Sequence, residues 1–303
     1  MEIIVPCNNK GGVGKTFVTS LIAEYLSIEK QKKTLVIDLD PQCNISQRYL
    51  KMQVNQEHTE GHMPPIHHDY DSEEDVDWDG ISSSADIFLS PEKGIVPYGT
   101  MEHNLDILPG HARDLQSVEM IHRGEIKEKI HDRLQFLFSL ADVQAEYDYI
   151  VIDTAPSKGP LTTSAMRSAT NIIIPCQMED KSIRGAISMM QLWKKEDALL
   201  EEKANINLIG ILPNMVDPRT TLHKQFLDYL VNHDHLGKVT IPHFIKRRTA
   251  YAENDTENAL PKSIFDHRST NESKKEALET CGYIFDKIVT SNRYKTKEEE
   301  VIA

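Results

Sequence analysis

The residues best equipped for chemistry are Lys10-Gly11-Gly12-Val13-Gly14-Lys15-Thr16. Glycines let successive backbone N–H groups turn toward one anion, and Lys15 adds a point charge for outer phosphates. Thr16 offers a hydroxyl to Mg²⁺. The spacing differs from the ordinary G-x-x-x-x-G-K-[ST] loop, because Asn9 stands where the first glycine belongs and a second lysine, Lys10, opens the run. Farther along, Ile37-Asp38-Leu39-Asp40-Pro41-Gln42 ends an apolar segment with two carboxylates. Acids at the C-terminal end of a strand beside a phosphate loop suit magnesium and water chemistry. Capping of a following helix is the other use for acids at that position.

These groups need elements to position them. Ile3-Ile4-Val5 before the loop reads as a strand, and Val18, Leu21, Ile22, Tyr25 and Leu26 after it read as the apolar face of a helix. That helix would add its N-terminal dipole and free N–H groups to the anion site. Strands are expected at 2–7, 34–39, 104–108, 147–152, 171–175, 206–212 and 239–241, and helices at 15–29, 125–140, 182–200, 218–232 and 272–288. Ile126, Ile130, Leu134 and Leu137 form one helical stripe, and Ala277, Cys281, Ile284 and Ile288 another. Short apolar strands alternating with helices predict an α/β fold. Its mostly parallel, twisted sheet would be flanked by helices on both faces within a single domain, 1–303.

The chain carries a net charge of −13, which taken as an average argues against nucleic acid. The charge is uneven, however. Residues 57–79 hold nine acids and no Lys or Arg, and so account for most of it. With Gly61, Pro64, Pro65, His58, His62, His67, His68 and Ser82-Ser83-Ser84, the stretch 51–84 reads as a mobile acidic surface insertion. A metal site on His67, His68 and Asp69 is the alternative use of its histidines. Residues 291–303 read as a short disordered tail. Cys7, Cys43, Cys176 and Cys281 form no CxxC pair, which fits a reduced, cytoplasmic protein and excludes a zinc ribbon. No apolar run approaches membrane-spanning length.

The loop resembles the deviant Walker A signature KGGVGK[ST] of the ParA/MinD superfamily of P-loop NTPases. The resemblance implies ATP and Mg²⁺ as cofactors, and a nucleotide-sandwich dimer in which Lys10 reaches the phosphates held by the other subunit. Nucleotide binding is then expected from Lys10, Gly11, Gly12, Val13, Gly14, Lys15, Thr16 and Phe17, although Phe17, where a second threonine is common, is expected to face the helix core. The segment Asp38–Asn44 resembles the family's DxDPQxN pattern, so Asp40 would orient or activate the attacking water while Asp38 supports the magnesium shell from further out. Asp153-Thr154-Ala155-Pro156 looks like the Walker B and switch II segment, with Asp153 holding a magnesium-bound water. Lys10, Lys15 and Asp40 are thus the catalytic candidates, and Thr16, Asp38 and Asp153 the metal candidates.

Gly210–Thr220 resembles the segment that passes the adenine base. Asn214 offers a donor and an acceptor to its edge, or is a turn residue. In ParA relatives, basic residues in a D-x-R-T segment and shortly after an Ile-Pro pair bind duplex DNA without sequence preference. Arg219 matches the first, and Lys246, Arg247 and Arg248 follow Ile241-Pro242. Solvated surface cations are the alternative. Among relatives, MinD needs a basic amphipathic C-terminal helix, whereas this chain ends Glu298-Glu299-Glu300-Val301-Ile302-Ala303. Scattered cysteines argue against the iron–sulfur relatives.

The expectation is therefore a ParA-type partition ATPase. It would be dimeric with ATP, bound non-specifically to nucleoid DNA, and stimulated by a ParB-like partner. The alternative is a ParA-like switch that positions a protein cargo or regulator without DNA.

Overall fold

A computed structural model describes residues 1–54, 61–75, 77–121, 124–200, 205–254, 256, 259 and 262–291. Its chain divides into two compact units, one formed by Met1 and 22–168 and the other by 2–21 and 169–303. Along the chain the strands are β1 (Glu2–Pro6), β2 (Thr34–Leu39), β3 (Gln53–Val54), β4 (His62–Met63), β5 (Tyr98–Gly99), β6 (Leu105–Leu108), β7 (Tyr149–Thr154), β8 (Asn171–Cys176) and β9 (Asn207–Pro213). The helices are α1 (Lys15–Glu24), α2 (Asn44–Tyr49), α3 (Asp86–Leu89), α4 (Ala112–Glu119), α5 (Gly124–His131), α6 (Arg133–Ser139), α7 (Ala141–Glu146), α8 (Pro160–Ser168), α9 (Asp180–Asp197), α10 (Thr221–Asn232), α11 (Thr249–Asn254) and α12 (Glu272–Thr290).

In the first unit the strand order is β5-β6-β2-β7, with β2 parallel to both β6 and β7 and only the short β5 antiparallel. In the second the order is β1-β8-β9, all parallel. This is the expected α/β fold, with mostly parallel strands and helices between them. Leu35-Val36-Ile37, Ile150-Val151-Ile152 and Ile172-Ile173-Ile174 are buried throughout, as strands covered on both faces must be. The α1 stripe (Val18, Leu21, Ile22, Tyr25, Leu26) and the α12 stripe (Ala277, Cys281, Ile284, Ile288) are buried as expected.

Three expectations change. The helix expected over 125–140 is two helices broken at Asp132. Ile130 and Leu134 are buried, Ile126 is exposed, and Phe138 fills the core position beside the half-buried Leu137. The strand expected at 239–241 is a 3₁₀ turn, Gly237–Val239, followed by an isolated bridge from Thr240 to Ile211. Helix 15–29 is α-helical only to Glu24 and ends in a π-helical turn, Tyr25–Glu29.

The stretch 51–84 has more core than its composition suggests. Residues 55–60 and 76 lie outside the described residues, as do 292–303 of the expected tail. Between them, Pro64, His67 and Ser82–Ser84 are buried. The His67 ring packs edge-on to Tyr98 at 4.5 Å and beside Trp78 at 5.5 Å. Ser84 N–H donates to the Pro109 carbonyl at 2.8 Å. The acids Asp71, Glu73, Glu74, Asp77 and Asp79 stay exposed.

Candidate functional site

The second unit carries the phosphate loop between β1 and α1. Gly12 and Gly14 have φ of 77° and 84°, left-handed values that favour glycine. A Cβ on Gly14 would also lie 2.4 Å from Nδ2 of Asn214, so this position excludes side chains twice over. The loop is braced from below. Asn8 donates to the Pro175 carbonyl at 2.8 Å and accepts from Lys10 N–H at 3.1 Å. Gln177 donates to the Gly12 carbonyl at 2.7 Å, and Asn214 to the Val13 carbonyl at 2.8 Å. Gly185 on α9 leaves room for the chain to pass, since a Cβ there would meet Asn8 Oδ1 and Lys10 Cγ at 2.7 Å.

The two lysines differ. Lys15 is buried and turned back on the loop, its Nζ 3.4 Å from the Lys10 carbonyl oxygen. Lys10 is exposed. Thr16 and Phe17 occupy the first turn of α1, where backbone N–H groups lack intrahelical carbonyls. The Phe17 ring packs edge-on against Tyr251 at 4.9 Å, so only its backbone suits a phosphate. The Cys7 thiol beneath is pushed up to about 12 by burial, which Lys15 partly offsets.

Asn214 sits directly beneath the phosphate loop. It is fully buried, and both ends of its amide are engaged. Nδ2 donates to Val13, and Oδ1 accepts from Met215 N–H at 2.9 Å. Met215 itself has a left-handed φ of 52°. The residue expected to read adenine thus also braces the phosphate loop.

The acids lie in the first unit. Asp38 and Asp153 are register partners on adjacent parallel strands, both fully buried, and Asp40 is almost fully buried beyond the end of β2. Asp38 accepts from Asp40 N–H at 3.0 Å, from Ser46 N–H at 3.1 Å and from Ser46 Oγ at 2.6 Å. Ser46 Oγ in turn accepts from Gly110 N–H at 2.9 Å. Burial, then the neighbouring Asp153, push the Asp38 carboxyl up to about 8 against the pull of these donors. Asp40 accepts from Gln42 N–H at 3.0 Å, which turns the chain toward Cys43, left-handed at φ 53°, and into α2. Of the two uses expected of these acids the structure shows the capping one: Asp38 anchors the start of α2.

The donor set fits magnesium. Buried carboxylates that repel one another are hard oxygen ligands whose charge a small divalent cation offsets. Within the first unit, Asp153 and, from further out, Asp38 would hold it. Bound there, the ion would polarise the outer phosphates and neutralise their developing charge. After Asp153, the turn 155–159 is tied to α4. Ser157 Oγ donates to Glu119 at 2.6 Å, and a Cβ on Gly159 would collide with the Glu119 carboxylate at 1.8 Å.

The basic residues of the second unit come together. Val216 and Lys246 form a parallel bridge, and Arg247 N–H donates to the Val216 carbonyl at 2.9 Å. Arg219 is exposed and clamped two-pronged on Asp217, both contacts at 3.0 Å, which holds the Asp217 carboxyl down near 2. Lys246 and Arg248 share Glu276 at 3.6 and 3.3 Å. Arg247 is exposed and takes part in no ion pair among the described residues.

The sequence reading missed Ser46, Gln177, Gly185 and Glu276, whereas Asp217 opens the D-x-R-T segment it had singled out.

His67, His68 and Asp69 bring their ligand atoms within 4.8 Å of one another. Both His67 nitrogens are already used, however: Nδ1 accepts from Asp69 N–H and Nε2 meets the Pro97 carbonyl, each at 3.1 Å. Coordination there would have to break one of them. No helix among the described residues is long and apolar enough to cross a membrane.

Known proteins share this sequence pattern and fold. The AAA_31 family model, described as an AAA domain, matches residues 1–208. Soj of Bacillus subtilis, a sporulation initiation inhibitor protein, is 27% identical over 272 residues, spanning 88% of this chain and 92% of that protein. The chromosome-partitioning ATPase Soj of Treponema pallidum is 27% identical over 283 residues, spanning 91% and 95%. Among solved structures, a putative plasmid partition protein of Borrelia burgdorferi bound to AMPPNP superposes with a TM-score of 0.66, at 22% identity over 94% of this chain and 98% of that one. An ATP complex of Cyanothece McdA gives 0.68 at 14% identity, over 93% and 96%, and shares the fold. With the loop, the acids and the strand order above, this chain belongs to the AAA_31 family and is a ParA-type ATPase of the ParA/MinD superfamily.

Proposed function

We propose that the chain is a cytoplasmic DNA-partition ATPase. Two Mg-ATP-bound subunits form a sandwich dimer. In each, Lys15 and the backbone of Gly11–Phe17 hold the phosphates, Thr16 and Asp153 serve magnesium, Asp40 activates water, and Lys10 crosses to the partner's nucleotide. The dimer binds duplex DNA through Arg219 and Lys246–Arg248, and a ParB-like protein stimulates slow hydrolysis that releases it. The observation that supports this most is the contrast between the two lysines. One is buried and turned onto its own loop, while the other is exposed at the loop's entrance.

The test is binding of the purified chain to random-sequence duplex DNA with Mg-ATP and with Mg-ADP at two salt concentrations. Binding with ATP only, weakening as salt rises, is the expected result. A second reading, an ATPase switch that positions a protein cargo without DNA, draws support from the carboxylates on Arg219, Lys246 and Arg248, which neutralise much of the basic patch. ATP-driven dimerisation with no DNA binding in either nucleotide state would favour it.

A further inference from the structure

The 242–248 segment and α12 enclose an open pocket of about 220 Å³, with Phe244, Lys246 and Arg248 on one side and Lys275, Glu276 and Glu279 on the other. That is several times the roughly 30 Å³ a water molecule occupies in the liquid. We propose that this pocket is a subsite for one backbone phosphate of duplex DNA, with Glu276 as an internal competitor that the phosphate displaces from the cations. The inference rests on the DNA-binding reading above and extends it to α12, which carried no sequence signal for it.

Glu276 does not owe its position to the cations alone. Its Oε1 accepts from the Lys246 backbone N–H at 2.8 Å and from the Tyr251 hydroxyl at 3.3 Å, and its side chain is only 10% exposed. Held by those two donors, it leaves Lys246 Nζ at 3.6 Å and Arg248 Nη2 at 3.3 Å, long contacts that a phosphate oxygen can replace. Arg248 also keeps a buried Nε–H with no acceptor, a donor that Glu276 does not use. A guanidinium beside an ammonium is an arrangement that receives a phosphate. Lys275, half exposed and paired with Glu272 at 3.0 Å, adds a third cation at the rim. The Val216–Lys246 bridge joins the pocket to the Arg219 segment, where Asp217 guards its arginine in the same way. Binding at this surface is thus an exchange of carboxylate for phosphate at each guarded cation.

The experiment measures random-duplex affinity of the full chain with Mg-ATP by fluorescence anisotropy across a salt series, for wild type, Glu276→Gln and Lys275→Ala. Glutamine keeps an acceptor for Lys246 N–H and Tyr251 but removes the competing charge. Glu276→Gln should bind about 3–10-fold tighter, with a log–log salt slope steeper by about 1, and Lys275→Ala should bind several-fold weaker with a slope shallower by about 0.9. If wild type binds and both variants match it, the subsite is wrong and the DNA reading survives. A weaker Glu276→Gln with an unchanged Lys275→Ala likewise overturns the subsite. If Glu276→Gln binds where wild type does not, phosphate does not displace Glu276, and both the exchange and the partition reading fall. No binding by any of them removes both. Should Glu276→Gln fail to fold by circular dichroism, the exposed Lys275→Ala decides alone.

Discussion

Asn214 meets the phosphate loop with both ends of its amide, and that fixes what its loss should do. The Val13 carbonyl it serves is buried under Gly14, where a methyl group would not fit. Asn214→Ala leaves that carbonyl unsatisfied and opens space below the loop, a change worth about 1–3 kcal/mol. The expected outcome is weaker binding of ATP and GTP by similar factors, read by competition against a fluorescent nucleotide. A residue that reads adenine would instead lose its preference for ATP and leave GTP unchanged. The residue types were legible in the sequence, because an amide in that run has to matter to something polar. Which polar group it meets depends on Val13, 201 positions away, and no local pattern encodes that. Asp38 follows the same logic. Its place at the end of a strand was readable from the sequence, but Ser46, which occupies it, sits at an unremarkable helix position.

At the scale of elements, strands buried on both faces were read to within two residues, because runs such as Ile150-Val151-Ile152 have no other soluble use. Short helices were not. α2, α3, α7 and α11 have four to six residues each, too few to show a helical period. α4 and α8 were missed as well, and they carry a contact with consequences. Glu119, at the C-terminal end of α4, accepts from Ser157 and, at 3.4 Å, from Leu161 N–H in the first turn of α8. A carboxylate at a helix N-terminus stabilises it by about 0.3–1 kcal/mol. Here it also holds the turn that follows Asp153. Glu119→Ala should lower the melting temperature slightly and raise amide hydrogen exchange at 157–161 far more than elsewhere. Uniformly raised exchange would mean that Glu119 contributes only to global stability. The buried His67 was missed for a related reason: Tyr98 and Pro97, which bury it, come thirty residues later.

For the whole molecule, the net charge of −13 and the exposed acids of 71–79 make association between copies electrostatically unfavourable at low salt. A dimer therefore needs a specific attraction, and in the proposed arrangement the nucleotide supplies it: phosphates bound by one subunit attract Lys10 of the other. Within one subunit Lys10 has little to hold. It is exposed, and its own loop already has Lys15 turned onto it. The two lysines should thus separate binding from assembly. Lys15→Ala removes the charge on the chain's own phosphates and should abolish ATP binding. Lys10→Ala should bind Mg-ATP with nearly wild-type affinity and yet sediment as a monomer at concentrations where the wild type with ATP sediments as a dimer. A Lys10→Ala chain that still dimerises on ATP would assign the interface to other contacts. One that loses ATP binding altogether would return Lys10 to its own nucleotide, leaving the sandwich without the lysine that defines it.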